Sequence, residues 1–368
     1  MDAIDWRARI RSYLLVFDPT LITVLLLITF ISIVTMYSAA NDFPGRFEGH
    51  MRNLLIAYVV MFIAASVNPT WLMRLAVPIF LVGLASLVAV AMFGEVSKGA
   101  RRWLNLGFTR IQPSEIMKIA MPLMLAWYFQ RREGVVRWFD FFIAAILLGI
   151  PTMLIARQPD LGTAILVLAA GTYVIFLAGL RWRVIIGLAA MALASMPLLW
   201  SVMKDYQKQR VLMLLDPTSD PLGKGFHIIQ STIAVGSGGL AGKGWMQGTQ
   251  THLEFIPERT TDFIFAVFAE EFGLMGGAVL ILLYLALISR GFVIAGLGGT
   301  VFSRLLAGAI SLIFFTYAFV NMGMVTGILP VVGVPLPMMS YGGTAMLTLG
   351  IGAGILMAIN RHRKLMQS

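Results

Sequence analysis

The sequence predicts an all-α polytopic membrane protein of about ten transmembrane helices, with a large extracytoplasmic loop between spans seven and eight. Three observations lead there. Of 368 residues, 58% are hydrophobic and only 12% charged, far too apolar for a soluble domain of this length. The apolar residues fall in long runs rather than short stripes. The Lys and Arg residues of the short inner loops and the tails fall on one side of those runs, and those of the other side are mostly in two places, Lys98–Arg110 and Lys204–Arg259.

The runs lie at about 20–40, 52–67, 71–93, 113–129, 139–157, 160–179, 183–203, 263–289, 304–328 and 340–360. Asn53–Val67 is short, and Pro113–Phe129 carries Ser114, Glu115 and Lys118, so these two are the weakest. Arg7, Arg9 and Arg11 look like the basic region of a signal peptide, but the run after them lacks a small-residue cleavage site and reads as an uncleaved first span. Residues 1–368 form one integral membrane domain, with no separate soluble domain, repeat or low-complexity tail. Both termini are expected inside, with Arg74, Arg131, Arg132, Arg137, Arg181, Arg183, Arg290 and Arg304 on the same side. The net charge of +10 is assigned to topology and anionic headgroups rather than to nucleic acid. There is no Cys, which excludes disulfides and thiolate metal sites.

Phe255–Gly273 places Glu258, Arg259 and Asp262 where a long polar loop meets an apolar span, and puts Glu270 and Glu271 inside that span. Ionisable groups at membrane depth are costly and usually functional. Capping by Thr261 or Asp262 is the bland reading, and it explains neither glutamate. Asp262 and Glu270 are about 80° apart around a helix and about 12 Å along it, with Glu271 nearly opposite. Ala269, Gly273 and Gly277 make a small-residue stripe suited to close helix packing.

The loop at 203–262 is too long for a connector, and its middle, His227–Leu240, reads as a re-entrant or interfacial helix. Gly236–Gly244 fails as a nucleotide loop: Ser237 stands at the first Gly position and Gly244 replaces the hydroxyl residue. An anion-holding backbone nest with Lys243, or a purely structural turn, remain open. Lys98, Arg101, Arg102 and Arg110 are basic on the disfavoured side, which suggests phosphate ligands or headgroup contacts. Pro113 begins a helix on which Glu115 and Lys118 share a face. They are read as a cavity-lining pair or a self-satisfied ion pair. Asp160, in Gln158–Thr163, is either a cap or part of a site. Pro330–Gly343 is a stiff outer loop. His50, His227, His252 and His362 have no metal-ligand spacing, and no structural metal is expected.

Lys98–Lys118, Gln158–Ala164, Ser237–Gly248, Phe255–Gly273 and Met324–Gly343, in this order, resemble the SEDS family (shape, elongation, division and sporulation) over nearly the whole chain. Thr249–His252 followed by Phe255–Arg259 is more similar to its elongation member than to its division paralogue. The resemblance implies a ten-span SEDS fold and a peptidoglycan glycosyltransferase. Such an enzyme polymerises lipid II, an undecaprenyl-diphosphate disaccharide-pentapeptide, into β-1,4 glycan strands during cell elongation. It implies a class B penicillin-binding transpeptidase near spans eight and nine, other elongation-complex proteins, and a bacterial cytoplasmic (inner) membrane with the active site on the outer face. The family's essential acid falls on Asp262, and its polar cavity pair on Glu115 and Lys118.

The chemistry fits these residue types. Inverting displacement of a diphosphate-lipid needs one general base on the acceptor hydroxyl, here Asp262. The leaving diphosphate needs cations, for which Arg101, Arg102, Lys118, Arg210 and Lys243 are candidates. With Trp103, Glu115, Asp160 and Glu258 these complete the expected substrate-binding set. A divalent cation (Mg or Mn) held with the diphosphate would leave no motif. Two rival functions are a lipid II flippase, which would favour charges at the midplane, and a scaffold, which would not need Asp262.

Overall fold

The computed structural model describes residues 17–97, 100–105, 110–158, 160–203, 208–209, 211–212, 216, 224–253, 256 and 258–366. Every expected span contains helix. These are α1 (Pro19–Ala39), α2 (Arg46–Ser66), α3 (Pro69–Phe93), α4 (Pro113–Arg131), α5 (Trp138–Arg157), α6 (Leu161–Leu177) and a bent pair, α7 (Trp182–Ala194) with α8 (Met196–Val202). In the large loop lie α9 (Lys224–Ser237) and α10 (Thr249–His252). Then come α11 (Ile264–Gly296), α12 (Val301–Val325) and α13 (Gly343–Met366). The loop between α3 and α4 holds a small antiparallel sheet that the sequence pattern did not announce: β1 (Glu95–Ser97), β2 (Ala100–Asn105) and β3 (Arg110–Ile111), in that order.

Local chemistry sets several starts. Asp18 caps α1 through the Leu21 amide at 2.9 Å, and Asn68 caps α3 through Thr70. Pro19, Pro69 and Pro113 occupy first-turn positions, where a missing N–H costs nothing. Among the described residues seven helices are long and apolar enough to cross a membrane, and eight if the bent pair is one span. The other two are α4 and α6. Both are largely buried against neighbouring helices, so α4 tolerates Glu115 and Lys118, and α6 spans with 17 residues. By contrast, no residue of α7 is buried, as expected of a helix facing lipid on most sides.

Close packing of one span on another occurs on α13, whereas at Ala269 and Gly273 of the stripe expected in α11 it is the backbone at 238–242 that approaches. Gly350 and Gly354 bring α13 onto the backbone of α2 at Ala57 and Met61, the small-residue contact that substitutes for a hydrophobic driving force in lipid. Gly277 of α11 faces open space instead.

α11 breaks at Gly273, where φ is 64° and ψ −163°. The glycine run after α9 fills that break. The Glu270 and Glu271 carbonyls accept from Lys243 N and Gly244 N, both at 3.0 Å. The amides of Leu274 and Met275, their usual helical donors, turn to Gly239 O (2.9 Å) and Leu240 O (3.0 Å). Residues 239–244 therefore form a strap whose backbone replaces the helix bonding lost at the break. This resolves the glycine run in favour of a structural turn, since the amides of Lys243 and Gly244 are already taken. Only glycine fits at Gly242, where φ is +81° and a Cβ would overlap the Glu271 carbonyl. α9 also realises the helix expected at 227–240. It packs against α11 and α12, and the Ser231 hydroxyl donates to Val325 O at 3.0 Å.

Gly242→Ala should cost more than about 3 kcal/mol and lower the melting temperature of the purified protein by several degrees. Gly277→Ala, whose added Cβ would meet nothing within 4 Å, should shift it by less than about a degree. Thermal unfolding in detergent measures both.

Candidate functional site

Asp262 ends the turn that leads into α11. The Thr261 and Phe263 amides both donate to Glu258 O, at 3.1 and 3.3 Å, which closes the turn. The N-cap position of α11 falls on Phe263, which offers no side-chain cap. The Asp262 side chain is half-buried. Its Oδ2 lies 3.4 Å from where a Cβ would stand on Gly333, so the glycine leaves that side of the carboxylate uncrowded.

Three contacts fix this turn. Asn321, fully buried on α12, donates through Nδ2 to Asp262 O at 2.9 Å and to Val334 O at 2.8 Å. The Tyr341 amide donates to Thr260 O at 2.8 Å. Arg259, 1% exposed, donates to Ala39 O at 2.9 Å, to Thr251 O, and to Asp42 Oδ2 at 2.5 Å.

The stiff loop at 330–342 connects this turn to the other predicted residues. Gly333 faces Asp262, and the neighbouring Val332 carbonyl packs so tightly on Gly162 that a Cβ there would overlap it. Gly162 lies in the first turn of α6, whose N-cap is Asp160. Asp160 accepts from the Thr163 amide at 3.3 Å and from Gln112 Nε2 at 3.0 Å. It is thus a cap that also ties α6 to the start of α4. One turn further along α4, Lys118 pairs with Glu115 at 2.6 Å, with side chains 4% and 13% exposed. Thr348 of α13 donates to Glu115 Oε2 at 3.2 Å, and Lys118 Nζ lies 5.4 Å above the Tyr317 ring. The pair is largely satisfied within the bundle, which makes its burial tolerable.

Arg102 and Trp103 are half-buried on β2, which packs against α3 and α4. Glu258 is exposed and accepts from the Thr261 hydroxyl at 2.8 Å. Lys243 is brought not to Asp262 but to Glu270, at 2.8 Å. Arg7, Arg9, Arg11, Lys98 and Arg210 lie outside the described residues, as do the side chains of Arg101 and Arg110. Among the described residues no three His, Asp or Glu side chains gather as metal ligands. Asp160 and Glu115 are each engaged by protein donors.

Asn321, Tyr317 and Thr348 were not anticipated. Each is a polar group inside an otherwise apolar span, and that alone is a signal. Which carbonyl or carboxylate each would meet could not be read from spacing.

The fold and site define a polytopic membrane protein with a half-buried carboxylate at one end of a broken helix and a buried ion pair elsewhere in the bundle. Residues 11–365 match the FtsW/RodA/SpoVE family, described as cell cycle proteins, and the chain belongs to that family. It is 51% identical over 351 residues to the peptidoglycan glycosyltransferase MrdB of Escherichia coli K12, covering 95% of each chain. It is 34% identical over 362 residues to a probable peptidoglycan glycosyltransferase FtsW of Geobacter sulfurreducens, covering 95% and 96%. Among solved structures it is similar to a chain of a peptidoglycan synthase complex studied for coordination of polymerization and crosslinking. There the TM-score is 0.82 at 34% identity, covering 94% of this chain and 98% of that one. It is also similar to the rod shape determining protein RodA of Thermus thermophilus, with a TM-score of 0.71 at 29% identity, covering 94% and 97%.

Asn321→Leu removes the donor shared by two buried carbonyls and should cost about 2–3 kcal/mol, read as a lowered melting temperature. An unchanged melting temperature would mean that water or another donor replaces the amide.

Proposed function

We infer that this chain is a peptidoglycan glycosyltransferase that polymerises lipid II into β-1,4 glycan strands during cell elongation. The observation that carries the reading is the placement of Asp262. It is a half-buried carboxylate, beside a glycine, at the start of α11 in a bundle that belongs to the FtsW/RodA/SpoVE family.

The acceptor sugar's 4-hydroxyl gives its proton to an Asp262 carboxylate oxygen as its oxygen bonds to C1 of the donor sugar. The C1–O bond to undecaprenyl diphosphate breaks, and the diphosphate leaves with the electron pair. One displacement turns the α-linked donor into a β linkage. Diphosphate leaves without protonation, so a second carboxylate acid of the glycosidase kind is not required. Arg101 and Arg102 on β2, with Arg210 in the large loop, are the cations proposed to meet the diphosphate, while Lys118, held by Glu115, lends its positive field from within the bundle. Any Mg or Mn cation would arrive with the diphosphate, as part of the substrate.

The partner proposed is a class B penicillin-binding transpeptidase, within a larger elongation complex. A lipid-facing cavity of about 330 Å³ between α11 and α12, lined by Phe265, Ile281, Tyr284, Phe315, Phe319 and Ile328, offers its single span a seat. The protein is a multi-pass membrane protein. We place it in the bacterial inner membrane with both termini cytoplasmic and Asp262 on the outer face. The flippase reading draws only on the buried Glu115–Lys118 pair. Transporters tend to hold substrate at broken helices, whereas the break in α11 is filled by the chain's own strap.

Wild type purified with its transpeptidase, acylation blocked, should make long strands from lipid II. Asp262→Asn should lose at least about a hundredfold in rate. Equal rates would discard Asp262 as the base. No strands from either, with lipid II translocation in vesicles, would favour the flippase. Because the native chain has no Cys, single cysteines report topology. Thr218→Cys should react with an impermeant maleimide from outside, and Val135→Cys only after permeabilisation.

A further inference from the structure

Three charged residues stand outside that chemistry: Lys243, Glu270 and Arg259. Glu270 is fully buried on the short helical piece before the Gly273 break. Its Oε1 accepts from Lys243 Nζ at 2.8 Å, Gln250 N at 2.9 Å and Thr249 Oγ1 at 3.2 Å. Its Oε2 accepts from Thr251 Oγ1 at 3.0 Å and Thr251 N at 3.3 Å. One carboxylate thus fixes the chain from Lys243 to Thr251 against α11. The next link is the Thr251 carbonyl, which accepts from Arg259 Nη1. The guanidinium also reaches Ala39 O and Asp42 Oδ2, and lies 4.9 Å over the Phe43 ring. Arg259 belongs to the Glu258–Phe263 turn that presents Asp262, so its anchors are the turn's anchors.

We propose that Lys243, Glu270 and Arg259 are positioning residues, a relay that holds the Asp262 turn in register. In it Lys243 is the counter-charge of Glu270 rather than a ligand of the leaving diphosphate. The proposal rests on the polymerase reading of Asp262. Two features argue against a ligand role. Lys243 Nζ already has Glu270 and, at 2.7 Å, Thr249 as partners, and moving it to substrate would leave a buried carboxylate without its cation. Arg259 is too deeply buried to touch a lipid-borne sugar. A planar fork meeting three acceptors and an aromatic face is a geometry that lysine cannot reproduce.

If Lys243 acts only through Glu270, removing both charges must harm less than removing one. The test uses the full chain with its transpeptidase and four variants: Lys243→Met, Glu270→Gln, Arg259→Lys and the double Lys243→Met/Glu270→Gln. Hydrogen–deuterium exchange over 258–263 is read beside strand synthesis at varied lipid II. In Lys243→Met, exchange in the turn should quicken about tenfold and kcat fall about tenfold or more, with KM within about twofold. The double variant should recover both to within about threefold of wild type. Arg259→Lys should behave like Lys243→Met. If Lys243→Met does not fold, a folded and active double variant supports the relay, and a double as poorly folded as the single overturns it. Raised KM with unchanged exchange, or a double variant no better than the single, also overturns it and makes Lys243 a substrate ligand. The exchange readout needs no catalysis. A wild type that makes no strands therefore removes the polymerase reading, and the relay's catalytic purpose with it, independently of whether the turn is coupled to Glu270.

Discussion

Inside a membrane, a backbone N–H or C=O without a partner is costly, and a helix can break only where something else supplies the missing bonds. At Gly273 that supply is the strap at 239–244, which takes the carbonyls of Glu270 and Glu271 and returns its own to Leu274 and Met275. The rest of the face around Asp262 depends on this exchange. It seats the large loop on α11, and it separates a buried piece carrying Ile264–Phe272 from the part of α11 that crosses the membrane. It also brings Lys243 over Glu270. A continuous helix would have carried Asp262 out along a straight axis, without the packing that now surrounds its turn.

Most buried charges among those described are met by a counter-charge. Lys118 has Glu115, Glu270 has Lys243, Arg259 has Asp42, and Arg290 on α11 has Asp18 at 2.6 Å. Glu271 accepts from the Ser38 hydroxyl of α1. Two of these contacts join helices distant in sequence: Ser38 meets Glu271 between α1 and α11, and Arg290 and Asn360 meet on Asp18, linking α11, α13 and α1 at the opposite end from Asp262. Buried pairs of this kind add little net stability over apolar packing, but breaking one side is expensive. They therefore specify which helix sits beside which in a bundle whose apolar surfaces are otherwise interchangeable.

Much of this was legible in the sequence, and what was not has a physical reason. The spans followed from run length, and even the two weak ones, α2 and α4, contain helix where expected. α2 extends further than its apolar run because Arg46–His50 continue the helix at the end of the span, where charge is tolerated. Pro113 marked the start of α4, and Glu115 with Lys118 shared a face as their spacing required. Asp262 was conspicuous because it stands where a long polar loop runs into an apolar span that itself carries two carboxylates, and ionisable groups at membrane depth are costly. The glycine run was ambiguous, since nest, nucleotide loop and strap all need glycine. Only the carbonyls it meets decide, and these lie about thirty residues further along the chain. The stripe at Ala269, Gly273 and Gly277 misled because small residues permit any close approach, and here backbone rather than a helix arrives at Gly273. The β1–β3 sheet was hidden because its strands are short and charged.

The central claim is that glycosidic bond formation takes place at the outer end of α11 with Asp262 as the base. The most direct measurement is a structure of the Asp262→Asn protein with its transpeptidase and lipid II bound. The account predicts the acceptor 4-hydroxyl within about 3 Å of the residue 262 side chain, with the donor diphosphate toward β2. An acceptor hydroxyl out of reach of residue 262, resting instead against Asp160 or Glu258, would contradict it.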